Sequence, residues 1–204
     1  MTPRLWDGHA KAHDLKSGFW DAENRLMGNR PRQPRRSSGF SLTEIMIVVG
    51  LIGVLASTAL PSFRKYQLRA KTAEVRSNLA GIQLAEDAYF GEFGVYLAAD
   101  PEPAIVPGSS AAAFDATDTP FDSIGFSPEG YVMFSYGVAV STDLTGYTID
   151  AAADIDGDGI VQLWGYARPD AAEAKVAGAV GCDVSEIGSQ SIDPCGPGFG
   201  KSVF

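Results

Sequence analysis

The sequence predicts an α+β protein in which a long N-terminal helix, first transmembrane and then amphipathic, packs against a small antiparallel β-sheet. The stretch from Gly39 to Pro61 is mostly apolar and carries no charge apart from Glu44, and it is about as long as the ~20 residues that a helix needs to cross a bilayer. Residues 62–90 then place apolar side chains at helical spacing. Later segments combine turn signals with aromatic and β-branched residues, a pattern typical of strands.

Arginines precede the apolar stretch, and the positive-inside rule therefore places the N-terminus in the cytoplasm and everything after Pro61 outside. They are Arg30, Arg32, Arg35 and Arg36. Glu44 is the anomaly, because a charge at the centre of a membrane helix costs about 2.5 to 3.5 kcal/mol on insertion scales. Its presence in this stretch indicates a function.

The helix is expected to continue through Pro61 with a local bend, since proline removes one backbone hydrogen bond. Glycines at 91 and 94 should end it, and residues 91–122 should form a surface loop. The apolar stripe of residues 62–90 consists of Leu68, Val75, Leu79, Ile82, Ala85 and Tyr89.

Residues 123–168 are expected to form the sheet, with antiparallel strands at Tyr131–Val140, Gly146–Ala153 and Ile160–Ala167. One face of this sheet should cover the apolar stripe of the helix, while the other faces solvent or a neighbouring molecule. The tail, residues 169–204, is rich in glycine towards its end and shows no period.

Charge is distributed unevenly along the chain. The first 39 residues hold 8 of the 16 basic and 4 of the 25 acidic residues, which leaves 8 basic and 21 acidic residues in the remainder. Such an acidic surface repels phosphate backbones, so nucleic-acid binding by a broad basic face is not expected. A basic cluster just after the apolar stretch is interpreted as a solvated helix face beside lipid headgroups or a neighbour's acids. It consists of Arg64, Lys65, Arg69, Lys71 and Arg76.

Cys182 and Cys195 both lie in the part of the chain predicted to be outside, where disulfides persist. We expect them to pair and to close the tail. Two free thiols or a metal site are the weaker alternatives. Two thiolates do not complete a zinc site, and no histidine follows residue 39 to assist them.

The segment DIDGDGI brings Asp154, Asp156 and Asp158 into alternation before Gly159, which resembles the start of a calcium loop. Gly165 occupies the twelfth position, where an EF-hand supplies a bidentate glutamate, and strand-type residues flank the segment. An acidic hairpin turn is therefore the competing interpretation, and no other cofactor is indicated.

No catalytic constellation is found in the sequence. Both histidines, His9 and His13, precede the apolar stretch, which excludes Ser-His and Cys-His catalysis in the remainder. There is no GxSxG, P-loop or GxGxxG in a suitable context. A hydrolase that uses carboxylates alone remains as a formal alternative.

A basic leader, Gly39 before Phe40, Thr43 and Glu44, an apolar run and Pro61 together resemble the class III leader junction of type IV pilins and related pseudopilins. The resemblance implies the type IV pilin fold. It also implies that prepilin peptidase removes residues 1–39 and that the new N-terminus on Phe40 is methylated. An uncleaved anchor or an ordinary secretory signal is the alternative, although a secretory cleavage site would follow the apolar run.

The resemblance implies a structural subunit and no enzyme. Residues 40–61 would be the transmembrane and assembly helix, with Glu44 pairing with the Phe40 amine of a neighbouring copy. Residues 62–204 would be the head outside the cytoplasm. The partners would be further copies in a helical filament, prepilin peptidase and the inner-membrane pilus assembly machinery. After a single-pass inner-membrane stage, the subunit would serve in an extracellular pilus for motility, adhesion or surface attachment.

Two other functions are compatible with the same leader. One is a pseudopilin of a type II secretion system, which the acidic segment favours because major pseudopilins bind calcium near their C-terminal end. The other is an enzyme or binding module on a membrane tether, which the missing catalytic groups disfavour. The leader is long for this family, and Met27 is an alternative start to Met1.

Overall fold

The computed structural model describes residues 39–195. The predicted leader up to residue 38, with both histidines and Met27, and the end of the tail, residues 196–204, lie outside the described part. The described part of the chain divides into two units, with the boundary between Val49 and Gly50. Its elements are helices α1 (Leu42–Phe93) and α2 (Pro120–Ser123) and strands β1 (Ala99–Glu102), β2 (Ala112–Ala113), β3 (Tyr131–Val132), β4 (Ser135–Val140), β5 (Tyr147–Ala153), β6 (Gln162–Arg168) and β7 (Ile192–Pro194).

Helix α1 contains Pro61 and continues beyond it, as the sequence predicts. Serine and threonine hydroxyls near the proline donate to carbonyls of the preceding turn, for example Ser57 to Val54 at 2.7 Å. The helix ends at Phe93, and Gly94 follows with a φ of 74° that suits a glycine after a helix. Gly91 lies inside the last turn and does not end it. The bend expected at Pro61 stays a prediction.

The main sheet has five strands in the order β1-β4-β5-β6-β7, and each neighbouring pair is antiparallel. The three predicted strands correspond to its central β4, β5 and β6. The loop prediction for residues 91–122 was wrong at Ala99–Glu102, which pairs with β4 as an edge strand. β7 adds the opposite edge, and β2 and β3 form a separate small pair.

The first predicted strand, Tyr131–Val140, is interrupted after Val132. The reason is a contact with the helix: the Met133 N–H donates to the carboxylate of Glu74 at 3.0 Å. The same carboxylate accepts from the Tyr136 hydroxyl at 3.1 Å. A backbone donor at this point is therefore paired with α1, and the strand resumes at Ser135.

The core lies between α1 and one face of the sheet, as predicted. Val75, Leu79 and Ile82 of the helix stripe have no exposed surface. They belong to one apolar cluster with the sheet residues Ile149 and Tyr136. Leu68, Ala85 and Tyr89 of the stripe pack at its margin. Burial of this stripe against the strands holds the helix to the sheet.

The second face of the sheet is also covered, which corrects the expectation that it faces solvent or a neighbour. Every residue of β5 is buried, so neither face of that strand is open. The chain after β6 returns across this face and forms a second apolar cluster with it. The members are Ala167, Cys182, Ile187 and Cys195, with Leu163 and Val184 at the margin.

Candidate functional sites

The N-terminal segment is built around the start of α1. The Ser41 hydroxyl accepts from the Glu44 N–H at 3.2 Å, and the Ser41 carbonyl accepts from the same N–H at 3.1 Å. Ser41 and Glu44 therefore stand in the S-x-x-E relation of a capping box, and an acid in the first turn is favoured by the helix dipole. This local role of Glu44 was missed in the sequence.

The apolar part of α1 is exposed along its length. Leu42–Phe93 is long enough and apolar enough to cross a membrane, with a best window of mean hydropathy 2.1, none of it buried. Phe40 is 79 % exposed, and Glu44 is followed by exposed Ile45, Met46 and Ile47. An exposed apolar helix surface of this kind has to be covered by lipid or by protein.

The basic cluster occupies the helix after Pro61 and borders a groove with the acidic segment. Arg64, Lys71 and Leu68 line this groove together with Ile155 and Asp156. Lys71 is also held by the head, because its ammonium group donates to the Ser109 carbonyl at 2.8 Å.

Arg76, the last member of the basic cluster, lies with its guanidinium 5.1 Å from the ring centre of Trp164, a cation–π contact. Part of the basic cluster therefore packs against its own chain, which the sequence did not indicate.

The three aspartates of the acidic segment do come together. Carboxylate oxygens of Asp154, Asp156 and Asp158 lie within 4.8 Å of one another. Local bonds already account for much of this turn: Asp154 accepts from the N–H groups of Gly157 and Gly159 at 2.9 and 3.1 Å. The segment joins β5 to β6, as the acidic hairpin interpretation has it. Calcium binding stays a prediction.

A disulfide joins Cys182 to Cys195, as expected from the sequence. Both cysteines are buried. The Cys195 N–H donates to the Leu163 carbonyl of β6 at 2.9 Å. The disulfide thus packs against the second face of the sheet.

Two buried acids of the head were not anticipated. Glu86 on α1 has no exposed surface, and burial raises its pKa to about 7, against the opposing effect of the Leu97 N–H bond. Asp150 on β5 is also fully buried, and burial raises its pKa to about 6, opposed by backbone N–H bonds from residues 176–195, which we call the C-terminal segment. An acid among apolar residues of a predicted strand was the available signal for Asp150.

The N-terminal part of the chain is similar to known proteins. Residues 34–60 match the prokaryotic N-terminal methylation motif. Over 57 residues the chain is 46 % identical to the type IV major pilin protein PilA of Myxococcus xanthus, covering 28 % of this chain and 26 % of that protein. Over 118 residues it is 30 % identical to the type IV major alpha-pilin of Moraxella bovis, covering 57 % and 65 %.

A third relative is the type IV major pilin protein PilE1 of Neisseria gonorrhoeae, 34 % identical over 71 residues, which cover 35 % of this chain and 33 % of that one. The chain thus spans less than two thirds of the length of each of these three relatives. No solved structure matches it at a significant level.

Proposed function

We propose that this chain is a member of the type IV pilin superfamily and a structural subunit of a bacterial type IV pilus. The observation that carries the proposal is the methylation motif at residues 34–60 joined to an exposed apolar helix. An exposed helix of this length is costly in water but is covered either in a bilayer or among further copies of itself. The mature chain would begin at Phe40.

In this proposal the chain first spans the inner membrane once, with residues 1–39 on the cytoplasmic side. Prepilin peptidase cuts between Gly39 and Phe40, and the Phe40 amine is methylated. The inner-membrane assembly machinery then packs the helices into a filament, and the heads from residue 62 onward form its outside. Glu44 and Pro61 belong to the assembly helix. The chain itself catalyses no reaction, in keeping with relatives that are named as pilins.

The processing step is tested by the mass and N-terminal sequence of the protein in the membrane and in material sheared from cells. Both should begin at N-methylated Phe40, and the sheared fraction should contain the chain as a polymer. Gly39→Leu should leave the uncut precursor in the membrane, whereas Gly50→Leu, which lies within the apolar helix, should be cut normally. A mature product that starts elsewhere would contradict the proposal.

A pseudopilin of a type II secretion system is the second candidate, favoured by the clustered carboxylates of the acidic segment. The same experiment separates the two functions. A chain that is cut at Phe40 but absent from sheared filaments, and whose deletion stops secretion of folded exoproteins, is a pseudopilin. A chain that dominates the sheared polymer is a pilin.

A further inference from the structure

The C-terminal segment rests on the second face of the sheet around one buried carboxylate. Asp150 Oδ1 accepts from the Ala179 N–H at 2.9 Å. Its Oδ2 accepts from the Val180 N–H at 2.9 Å and the Cys182 N–H at 3.1 Å. The side chain has no exposed surface, so these donors replace water around it.

Glycines on both sides of Asp150 make room for the segment. Gly137 and Gly165 are the residues opposite Asp150 on the two neighbouring strands. A Cβ on Gly165 would lie 2.6 Å from the Cys182 sulfur, and one on Gly137 would lie 2.8 Å from the Ala179 Cβ. Asp150 therefore lies in a shallow channel across the sheet. The channel exists because the residues beside Asp150 on both neighbouring strands have no side chain.

At Gly178 the backbone of the C-terminal segment lies directly against the Asp150 carboxylate. A Cβ on Gly178 would lie 2.1 Å from Asp150 Oδ2, so no larger residue fits there without a shift. Two positions earlier, the Val176 carbonyl accepts from the Thr148 hydroxyl at 2.6 Å. Residues 176–182 are thus tied to β5 by hydrogen bonds in which the sulfur atoms take no part.

The two cysteines are fixed to the sheet by separate hydrogen bonds. Cys182 is held through its N–H by Asp150, and Cys195 is held through its N–H by the Leu163 carbonyl. The disulfide joins two pieces of chain that each have their own attachment to the sheet.

We propose that Asp150 is the anchor of the C-terminal segment: it holds residues 179–182 on the sheet without help from the disulfide and so positions Cys182 beside Cys195. Asp150 is a positioning residue in this scheme, and the bridge secures a segment that is already in place. The proposal does not depend on whether the filament is a pilus or a pseudopilus.

Hydrogen exchange of the full chain in detergent micelles tests the proposal after the disulfide has been reduced and kept reduced. The Ala179 and Val180 amides should remain protected in the reduced wild-type protein. Asp150→Asn keeps the shape of the side chain, but its NH2 group would face the backbone N–H donors and could not accept from them. The Ala179 and Val180 amides should therefore exchange at least about tenfold faster. Amides of β5 report in the same experiment that the sheet is intact.

Two further variants keep the test decisive. Gly178→Ala acts from the segment side and should release the same amides even if Asp150→Asn does not fold. Asp143→Asn alters another hydrogen-bonded aspartate, in the β4–β5 turn, and should leave the amides unchanged. Loss of protection on reduction of the wild type, or full protection in both Asp150→Asn and Gly178→Ala, would overturn the proposal.

Discussion

Glu86 shows how a single residue can set the pH response of the head. Its Oε2 accepts from the Leu97 N–H at 3.1 Å, which ties the turn after α1 to the helix. Its Oε1 has no partner among the described residues. Burial raises the pKa to about 7, the Leu97 bond opposes this, and the neighbouring Asp87 adds to it. The folded head therefore prefers Glu86 protonated.

The sign of the pH effect follows from that shift. A carboxyl whose pKa is higher in the folded than in the unfolded state stabilises the fold below the unfolded pKa of 4.5 and loses that contribution as the pH rises towards 7. Glu86→Gln is neutral throughout. Relative to wild type, its free energy of unfolding should rise by about 3 kcal/mol between pH 4 and pH 8.

Urea unfolding of wild type and Glu86→Gln between pH 4 and pH 8 measures this difference in the free energy of unfolding. Asp150 contributes a loss of the same sign between about pH 4 and pH 6, but it is present in both proteins and cancels in the comparison. Glu129→Gln, which removes the same charge from an exposed position, is the matched control for the loss of a carboxylate. Parallel curves for Glu86→Gln and wild type would refute the assignment.

The burial of Glu86 and Asp150 was not predicted from the sequence. The apolar stripe of α1 predicts which face is buried, but it does not include Glu86, because an acid counts against burial unless its tertiary partner is known. The partners of both acids are backbone N–H groups remote in sequence, Leu97 for one and residues 179–182 for the other. Periodicity carries no information about such pairs.

At the scale of elements, α1 and the central strands could be predicted because their patterns are long or strongly β-forming. The edge strand β1 could not, since its sequence Ala-Asp-Pro-Glu has no β-branched or aromatic residue. It is a strand because β4 offers it a free edge. The interruption after Val132 was hidden for a similar reason, as it depends on Glu74 from the helix.

The C-terminal segment is the element that the sheet needs on its second face. Its disulfide closes a loop with a sequence separation of 13. In the chain-entropy model a loop of this size stabilises the fold by about 3 kcal/mol, through the unfolded state. Replacing both Cys182 and Cys195 with serine should therefore lower the free energy of unfolding by about that amount.

Urea unfolding of the double variant beside the chemically reduced wild type checks this value. The two should agree, since both lack the bridge, and leader cleavage should be unaffected in the variant. An unfolding free energy equal to that of the oxidised wild type would show that the bond does not act through the entropy of the unfolded chain.

At the scale of the whole molecule, the sequence separates an acidic head from an apolar helix. From Phe40 onward the chain has 8 basic and 21 acidic residues, and copies brought together in the proposed filament would repel one another through their heads. Five of the 8 basic residues lie at positions 64–76, directly after the apolar stretch. In the proposed filament, association would therefore have to come from the helix and from contacts near its basic cluster.

Glu44 is where the helix could supply a specific contact. If the proposed cleavage occurs, Phe40 would carry an amine that is mostly protonated at neutral pH, and in an apolar filament core that charge would need a partner. The proposed pairing with Glu44 of a neighbouring copy provides one. The structure offers a rival explanation, because the Ser41 hydroxyl accepts from the Glu44 N–H at the start of α1, and the two residues have the spacing of a capping box.

Two substitutions separate these explanations. Glu44→Ala removes both the carboxylate and the capping side chain, whereas Glu44→Gln keeps a residue that completes a capping box. Both should insert and be cut at Phe40, because loss of an acid makes the helix a better membrane span. If the pairing is correct, neither variant should form filaments of normal number and length in sheared fractions viewed by electron microscopy. Normal filaments from Glu44→Gln beside none from Glu44→Ala would assign Glu44 to the helix cap, and normal filaments from both would remove it from assembly.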